Sequence, residues 1–181
     1  QGYITASTAA SGYTFRGWST SANPTVTKNG NSYTVSNAWD GEATWTHTDT
    51  NPAFTVYAAY SANDYQITFT CGSEPSGATT TLAANKVAGT AVDVVYGSAY
   101  AALPDNAGTC ELSGYHFNGW SCGNGITSAG GTYNYAGDTV CDATWAPNNI
   151  ALTWTIKQGD TNVEFTAPGA NDAASSCQYD N

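Results

Sequence analysis

The sequence predicts an all-β or β-rich chain built from small modules, and three observations carry this prediction. Thr, Tyr, Trp and Val, which suit a pleated and half-buried surface, are frequent, and Gly and Asn suit the turns between strands. Leu, Lys and Glu, which build ordinary helices, are scarce. The same aromatic motif also occurs twice, in two distant parts of the chain.

Length and charge limit the possible functions. The 181 residues leave room for one or two domains. Four Lys and Arg residues stand against fourteen Asp and Glu residues, which gives a formal net charge of −10. Binding to phosphates needs Lys and Arg to displace counterions, so we expect no nucleic-acid partner. No apolar run approaches the ~20 residues needed to cross a bilayer, so we expect no membrane insertion.

The start of the chain points to processing or excision. Methionine does not occur in the sequence, and no positively charged, hydrophobic leader is present. We therefore expect Gln1 to follow a processing site or a cut in a longer polypeptide. We also expect the protein to be secreted or displayed on a cell surface, because its cysteines suit an oxidising compartment.

The clearest internal signal is a repeat of the motif Gly-Tyr-x-Phe-x-Gly-Trp. It occurs at 12–18 and again at 114–120, with every aromatic residue and glycine in register. A second matched pair, at 59–70 and 144–155, marks the boundary between one unit and the next. The sequence therefore predicts three segments, which are the C-terminal part of a repeat (1–63), a complete repeat (64–148) and the N-terminal part of a following repeat (149–181).

Each motif predicts a strand whose aromatic side chains fill a core. Tyr115 and Phe117 alternate with polar residues, and Gly119 breaks the alternation, so a bend turns Trp120 into the core. Buried aromatics supply most of the apolar burial of a small domain, so we interpret this stripe as core rather than as a sugar-binding platform. The predicted repeat core is Tyr13, Phe15, Trp18, Phe69, Tyr115, Phe117, Trp120, Trp145 and Trp154.

The motif, followed by a gap and a closing aromatic strand at 56–60 or 140–145, resembles the internalin-type B repeat, also called the Listeria–Bacteroides repeat. The resemblance covers nearly the whole chain, in pieces. It implies small modules of the β-grasp type, strung along a secreted bacterial surface protein. This chain departs from the usual form by carrying cysteines and by long insertions at 23–31 and 73–85.

The five cysteines show no CxxC or Cys/His zinc spacing, so disulfides are expected, with reduced and buried thiols as the alternative. Cys122 and Cys141 lie in one repeat, and their matches in the first copy, near Thr20 and Tyr57, both lack cysteine. This paired presence and paired absence predicts a bond between the two. The same argument pairs two further cysteines and leaves one that is either free or bonded to another chain, namely Cys71 with Cys110, and Cys177.

The two ends of the chain complement each other. The tail stops after the opening part of a repeat, and the head begins part-way through one, so Asn181 joined to Gln1 resembles the missing middle of a repeat. Completion between copies would be head-to-tail and would extend as a fibre. The alternatives are repeats joined covalently in one polypeptide, and a closed monomer whose halves fold together. The predicted junction residues are Gln1, Tyr3, Tyr179 and Asn181.

The sequence offers little for catalysis, and we expect no enzyme, no cofactor and no catalytic or metal-binding residue. His47 and His116 lie in different copies, and His116 occupies the position of Thr14, so we expect it to face solvent. Asp40 and Glu42 form the one close carboxylate pair, on a solvated face. A weak calcium site built from Asp and Asn side chains stays open as an alternative.

Two functional classes follow from these observations. The first is a structural subunit or segment of a bacterial surface filament or stalk, whose partners are copies of itself or adjacent repeats. The second is an adhesin module that binds a host protein or glycan through its loops. Aromatic positions that recur between copies favour the structural class.

Overall fold

A computed structural model describes residues 8–41 and 55–151, together with the backbone of three short strands at 156–158, 161–163 and 176–178. The described residues form strands and contain no helix, which confirms the prediction of a β-rich chain. The part of the chain described here therefore contains no helix that could cross a membrane. The strands are β1 (Tyr13–Ser19), β2 (Val26–Asn29), β3 (Ser32–Val35), β4 (Ala38–Trp39), β5 (Tyr57–Ala62), β6 (Asp64–Thr70), β7 (Val92–Val95), β8 (Ala99–Tyr100), β9 (Tyr115–Cys122), β10 (Gly131–Thr132), β11 (Thr139–Pro147), β12 (Asn149–Ala151), β13 (Ile156–Gln158), β14 (Thr161–Val163) and β15 (Ser176–Gln178).

The chain divides into two compact units, each assembled from three stretches of sequence. The first unit comprises Gln1–Gln66, Asp93–Ala101 and Gly130–Asp138, and the second comprises Ile67–Val92, Ala102–Ala129 and Thr139–Asn181. The three-segment division at 63/64 and 148/149 follows sequence similarity rather than compactness, and it stays a prediction.

The first unit is built on an antiparallel sheet of order β4-β1-β5. Strand β1 pairs with β5 from Tyr13 opposite Ala62 to Ser19 opposite Tyr57. Strands β2 and β3 form a hairpin, and β8 pairs with β10. The most buried side chains of this unit belong to Ser19, Ala59, Val94, Tyr100 and Tyr133.

The second unit contains the pairings at the centre of a four-stranded mixed sheet of order β7-β6-β11-β9. Strand β11 runs parallel to β6, with Thr139 opposite Ile67, and antiparallel to β9, with Cys141 opposite Cys122. The side chains of β11 at Thr139, Cys141 and Ala143 lie on its covered face and are almost completely buried, whereas Val140 on the opposite face is 52% exposed. Beside it lies a core of Ala88, Ala107, Cys110 and Ala143, against which Phe69, Cys71, Phe117, Trp120 and Trp145 pack.

Two further antiparallel pairs lie near the C-terminus. Strand β12 pairs with β15, with Ile150 opposite Cys177, and β13 pairs with β14, with Lys157 opposite Asn162. The β12–β15 pair joins the first three residues of segment 149–181 to residues close to its end.

Candidate functional site

The two Gly-Tyr-x-Phe-x-Gly-Trp strands carry a β-bulge at the same place. In β1 the register against β5 shifts between Phe15 and Gly17, and in β9 the register shifts opposite the step from Ala143 to Trp145. The motif glycine has a positive φ in both copies, +150° at Gly17 and +107° at Gly119, which side-chain-bearing residues rarely adopt. The extra residue changes the face to which the following side chains point, as the sequence pattern predicts.

The bulge brings the motif Phe and Trp together on one face, although they are three positions apart, a spacing that would put them on opposite faces of a regular strand. The ring centroids lie 5.4 Å apart for Phe15 and Trp18, and 5.1 Å apart for Phe117 and Trp120. The planes are inclined by 66° and 63°, so both pairs have the same edge-to-face geometry. The repeated motif therefore encodes one packing unit twice.

A third aromatic ring from the closing strand joins each pair. Tyr60 of β5 lies 5.6 Å from Phe15, and Trp145 of β11 lies 6.5 Å from Phe117, both edge-to-face. The register places Tyr60 opposite Phe15 and Trp145 opposite Phe117, so the two closing residues are structural counterparts. We call these groups the first aromatic cluster (Phe15, Trp18, Tyr60) and the second aromatic cluster (Phe117, Trp120, Trp145).

The second aromatic cluster is covered by the opening strand of its repeat and by loops. Phe69 of β6 lies 4.6 Å from Trp120, ring to ring. The Trp120 indole N–H donates to the carbonyl oxygen of Pro104 at 2.7 Å, and the Trp145 indole N–H donates to that of Cys71 at 2.9 Å. Sequence reasoning missed these two acceptors, because a loop carbonyl leaves no mark in the residue pattern.

Two disulfides hold the second unit, and they are the two pairs that comparison of the copies predicts. Cys122 and Cys141 face each other across β9 and β11 with Cα atoms 4.3 Å apart. Cys71, the residue that follows β6, is bonded to Cys110 with Cα atoms 5.5 Å apart. Extension of the β1–β5 register by one residue makes Val56, next to Tyr57, the counterpart of Cys141.

Matching contacts occur at the two predicted boundaries between copies. The backbone N–H of Asn63 donates to the Gly12 carbonyl at 2.9 Å, and that of Asn148 donates to the Gly114 carbonyl at 2.8 Å. The Thr14 hydroxyl donates to the Asn63 side-chain oxygen at 2.6 Å. His116, which is exposed as expected, has its Nδ1 at 3.0 Å from the corresponding oxygen of Asn148.

Tyr13 differs in burial from its counterpart. Its side chain is 40% exposed, whereas that of Tyr115 is 8% exposed. The ring of Tyr13 packs edge-to-face on Tyr96 at 5.3 Å, next to Gly12. The motif tyrosine is thus a surface aromatic at the first boundary and a buried residue in the complete repeat.

The pairing of β12 with β15 repeats the pairing of β6 with β7. Asn149–Ala151 match Asp64–Gln66 in the boundary alignment, and Ser176–Gln178 match Asp93–Val95. Ala151 lies opposite Ser176, and their counterparts are joined by a hydrogen bond of 2.8 Å from the Gln66 side chain to Asp93. The side chain of Cys177, and all of Trp154, Gln1, Tyr3, Tyr179 and Asn181, lie outside the described residues.

Polar residues of the first unit surround a hollow of about 370 Å³. Lys28 pairs with Asp64, and this hydrogen bond is the main cause that raises the pKa of Lys28 above its ordinary value. Asp138 accepts a hydrogen bond from the Gln66 backbone at 2.9 Å. In the described ranges, no three His, Cys, Asp or Glu side chains are grouped as metal ligands would be. His47 and Glu42 lie outside those ranges.

Comparison of the chain with protein-family models, curated proteins and solved structures finds no match. The internal similarity between the copies is therefore the comparison on which a functional argument can draw.

Proposed function

We propose that this chain is an extracellular structural repeat protein, a subunit or segment of a bacterial surface filament or stalk in which split β modules complete one another head to tail. One observation carries the proposal. Strands β1 and β5 repeat the register of β9 and β11, and β12 lies beside β15 as β6 lies beside β7. The head of the chain thus carries the last two strands of a module, and the tail carries the first two.

The strand order of the complete repeat supports a β-grasp-type module. In the sheet β7-β6-β11-β9, the first and last strands of the repeat lie side by side and parallel at the centre. The opening pair of strands, β6 and β7, and the closing pair, β9 and β11, are thus joined through the parallel pairing of β6 with β11. A module of this kind divides naturally into two halves along that contact, and each half alone leaves one side of a central strand to be paired.

Charge and cysteine use support an extracellular location. The two disulfides suit an oxidising compartment, where glutathione and thioredoxin do not reduce them. The formal charge of −10 favours solubility of a repetitive surface protein. We propose a mechanical rather than an enzymatic role, because the aromatic residues that recur between the copies are engaged with one another as packing pairs.

Sedimentation velocity of the oxidised 181-residue chain over a wide concentration range tests this proposal, with intact mass under denaturing conditions as the companion measurement. The expected result is a ladder of species at multiples of one unit, which dissociates on dilution and gives a one-unit mass when denatured. A ladder that denaturant leaves intact and reductant collapses assigns the link to Cys177. A single species of one-unit mass at every concentration would contradict assembly.

A second candidate is the adhesin, favoured by a surface hollow in the first unit. This hollow, of about 390 Å³, is lined by Thr8, Ala10, Tyr13 and Tyr60. A concave site with a partly exposed aromatic ring suits stacking on a sugar or on a peptide side chain. Screening the chain and its Tyr13→Ala variant against glycans and host extracellular-matrix proteins tests this candidate, and binding that needs Tyr13 would support it.

A further inference from the structure

The first aromatic cluster has the same internal geometry as the second but a different environment. In the complete repeat, β6 lies beside β11 and brings Phe69 to within 4.6 Å of Trp120. In the first unit, β5 ends its sheet, whose order is β4-β1-β5. The position beside β5 that corresponds to β6 is therefore not filled by a strand of the described residues.

The closing strand is longer where it has a parallel partner. Strand β11 begins at Thr139 and pairs with β6 over its first four residues, Thr139 to Asp142. Strand β5 begins at Tyr57, the counterpart of Asp142, and the two described residues before it, Thr55 and Val56, are not in a strand. Residues 55–56, which have no strand structure in the first unit, thus correspond to residues 140–141, which pair with β6 in the complete repeat.

Burial follows the same difference. Cys141 and Ala143, which point into the core of the complete repeat, are 0% and 2% exposed. Their counterparts Val56 and Ala58 are half-buried. Removal of apolar side chains from water is favourable, so added cover at these two positions would stabilise the contact.

The tail of the chain contains the matching opening strand. Residues 150–155 read Ile-Ala-Leu-Thr-Trp-Thr and align with Tyr-Gln-Ile-Thr-Phe-Thr at 65–70. The start of this segment is already placed like β6, because β12 pairs with β15 as β6 does with β7. In the alignment Trp154 takes the place of Phe69, the residue that contacts Trp120.

From these contacts we propose that segment 150–155 of a second copy adds to β5 as a parallel strand, with Trp154 packed on Trp18 of the first aromatic cluster. The inference rests on the proposed head-to-tail function and gives it a surface, a direction and a register. In the complete repeat, Thr139 to Asp142 pair with Ile67 to Thr70. The corresponding register pairs residues 54–57 of one copy with residues 152–155 of the next. In this register Thr55 faces Thr153, and Val56 faces Trp154.

The direction follows from the composition of each half. The strand that accepts a partner, β5, lies near the head of the chain, and the segment that is donated, 150–155, lies near its tail. Each copy therefore donates a strand to one neighbour and accepts a strand from another. Such a contact is heterologous and extends without closing unless the rotation between copies closes a ring. Main-chain hydrogen bonds supply part of the binding free energy, and the Trp154 anchor supplies the residue-specific part.

Disulfide trapping between separately made variants tests the register, in a Cys177→Ser background that removes the fifth thiol. Thr55 is exposed, and its counterpart Val140 is 52% exposed, so a cysteine at 55 lies on the solvent face of the added strand. Mixing Thr55→Cys with Thr153→Cys is expected to give a two-unit covalent species. The matched control mixes Thr55→Cys with Ile150→Cys, an exposed position three residues out of register.

The expected yield for the in-register mixture is at least about tenfold that of the control mixture, because cysteines bridge only when their Cα atoms lie within about 7 Å. Equal or absent yields while the sedimentation ladder persists would overturn this inference and leave the proposed function standing. Absence of the ladder contradicts the proposed function itself. A one-unit cross-link in a dilute Thr55→Cys/Thr153→Cys double variant would overturn the second copy as occupant.

Two substitutions of Trp154 test the anchor, and one of them is taken from the repeat itself. Trp154→Phe installs the residue that occupies this place in the complete repeat, and it is expected to keep the association constant within about threefold. Trp154→Ala removes the ring and is expected to lower the association constant tenfold or more, about 1.4 kcal/mol. Equal effects of the two variants would overturn the assignment of Trp154 as the anchor.

Discussion

The ring of Tyr96 lies directly over Gly12, so close that a Cβ added to this glycine would stand 2.4 Å from the ring carbons. Gly12 has a φ of +84° and opens the first motif strand, and the same tyrosine contacts Tyr13. The glycine of the motif therefore serves two purposes, a left-handed turn and close approach of an aromatic ring.

The Gly12→Ala variant is expected to lower the free energy of unfolding by about 2 kcal/mol, through backbone strain and displacement of Tyr96. Gly30→Ala is the matched control, since its φ is +61° and no atom lies within 4 Å of the added Cβ. Chemical denaturation of both variants measures the difference. Equal losses would mean that the turn conformation alone matters and that the Tyr96 contact contributes nothing.

Replacement of the Cys122–Cys141 bond by the residues of the first copy tests the equivalence of the copies. The double variant Cys122→Thr/Cys141→Val places there the counterparts Thr20 and Val56. With a sequence separation of 19 between the cysteines, loss of the cross-link is expected to cost about 3 kcal/mol while the β-rich circular dichroism spectrum is kept. Loss of the fold at room temperature would instead show that the bond is essential in this copy.

The hydrogen bond from Trp120 to the Pro104 carbonyl gives a third prediction. Trp120→Phe keeps an aromatic ring beside Phe117 but leaves the carbonyl without this donor, so we expect a loss of about 1–3 kcal/mol in unfolding free energy. Trp18→Phe is the matched change in the first copy, where the described contact of the indole is with the Phe15 ring. It is expected to cost less, and the reverse order would contradict the assigned role of the Pro104 contact.

The carboxyl group of Glu74 gives a prediction about pH. Its hydrogen bond from the Leu82 backbone N–H, at 2.8 Å, lowers the pKa of Glu74 below its ordinary value. Because the folded-state pKa is depressed, the stabilisation is present above the unfolded-state pKa and is lost as pH falls through the folded-state value. Titration followed by NMR should place the Glu74 midpoint below that of the denatured chain, and Leu82→Pro, which removes the N–H, should raise it. An unchanged midpoint in that variant would contradict this cause.

The contact between His116 and Asn148 predicts that one substitution of His116 is tolerated. His116→Thr installs the residue that makes the equivalent contact in the first copy, where Thr14 donates to Asn63. His116 is exposed, so we expect a change of less than about 0.5 kcal/mol in the free energy of unfolding. Chemical denaturation measures it, and a clearly larger loss would assign His116 a role that Thr14 does not share.

Features repeated between the copies could be predicted from the sequence. The bend at Gly119 follows from a broken alternation, and the bond between Cys122 and Cys141 follows from their joint absence in the first copy. Contacts made by loops could not be predicted, because the carbonyl that accepts from Trp120 could belong to any residue nearby. The motif alone also did not predict that the Tyr13 side chain is partly exposed, because the residue that it contacts, Tyr96, belongs to a distant part of the chain.

Amide hydrogen exchange of residues 55–57, at the N-terminal end of β5, measured against concentration, tests the central claim most directly. Residues 139–142 of β11, already paired with β6, serve as the internal reference and should exchange slowly at every concentration. The account predicts that residues 55–57 exchange rapidly in the dilute chain and become protected as the higher species form. Rapid exchange at 55–57 in the fully assembled material, or protection that persists unchanged on dilution, would contradict completion of this module by a second copy.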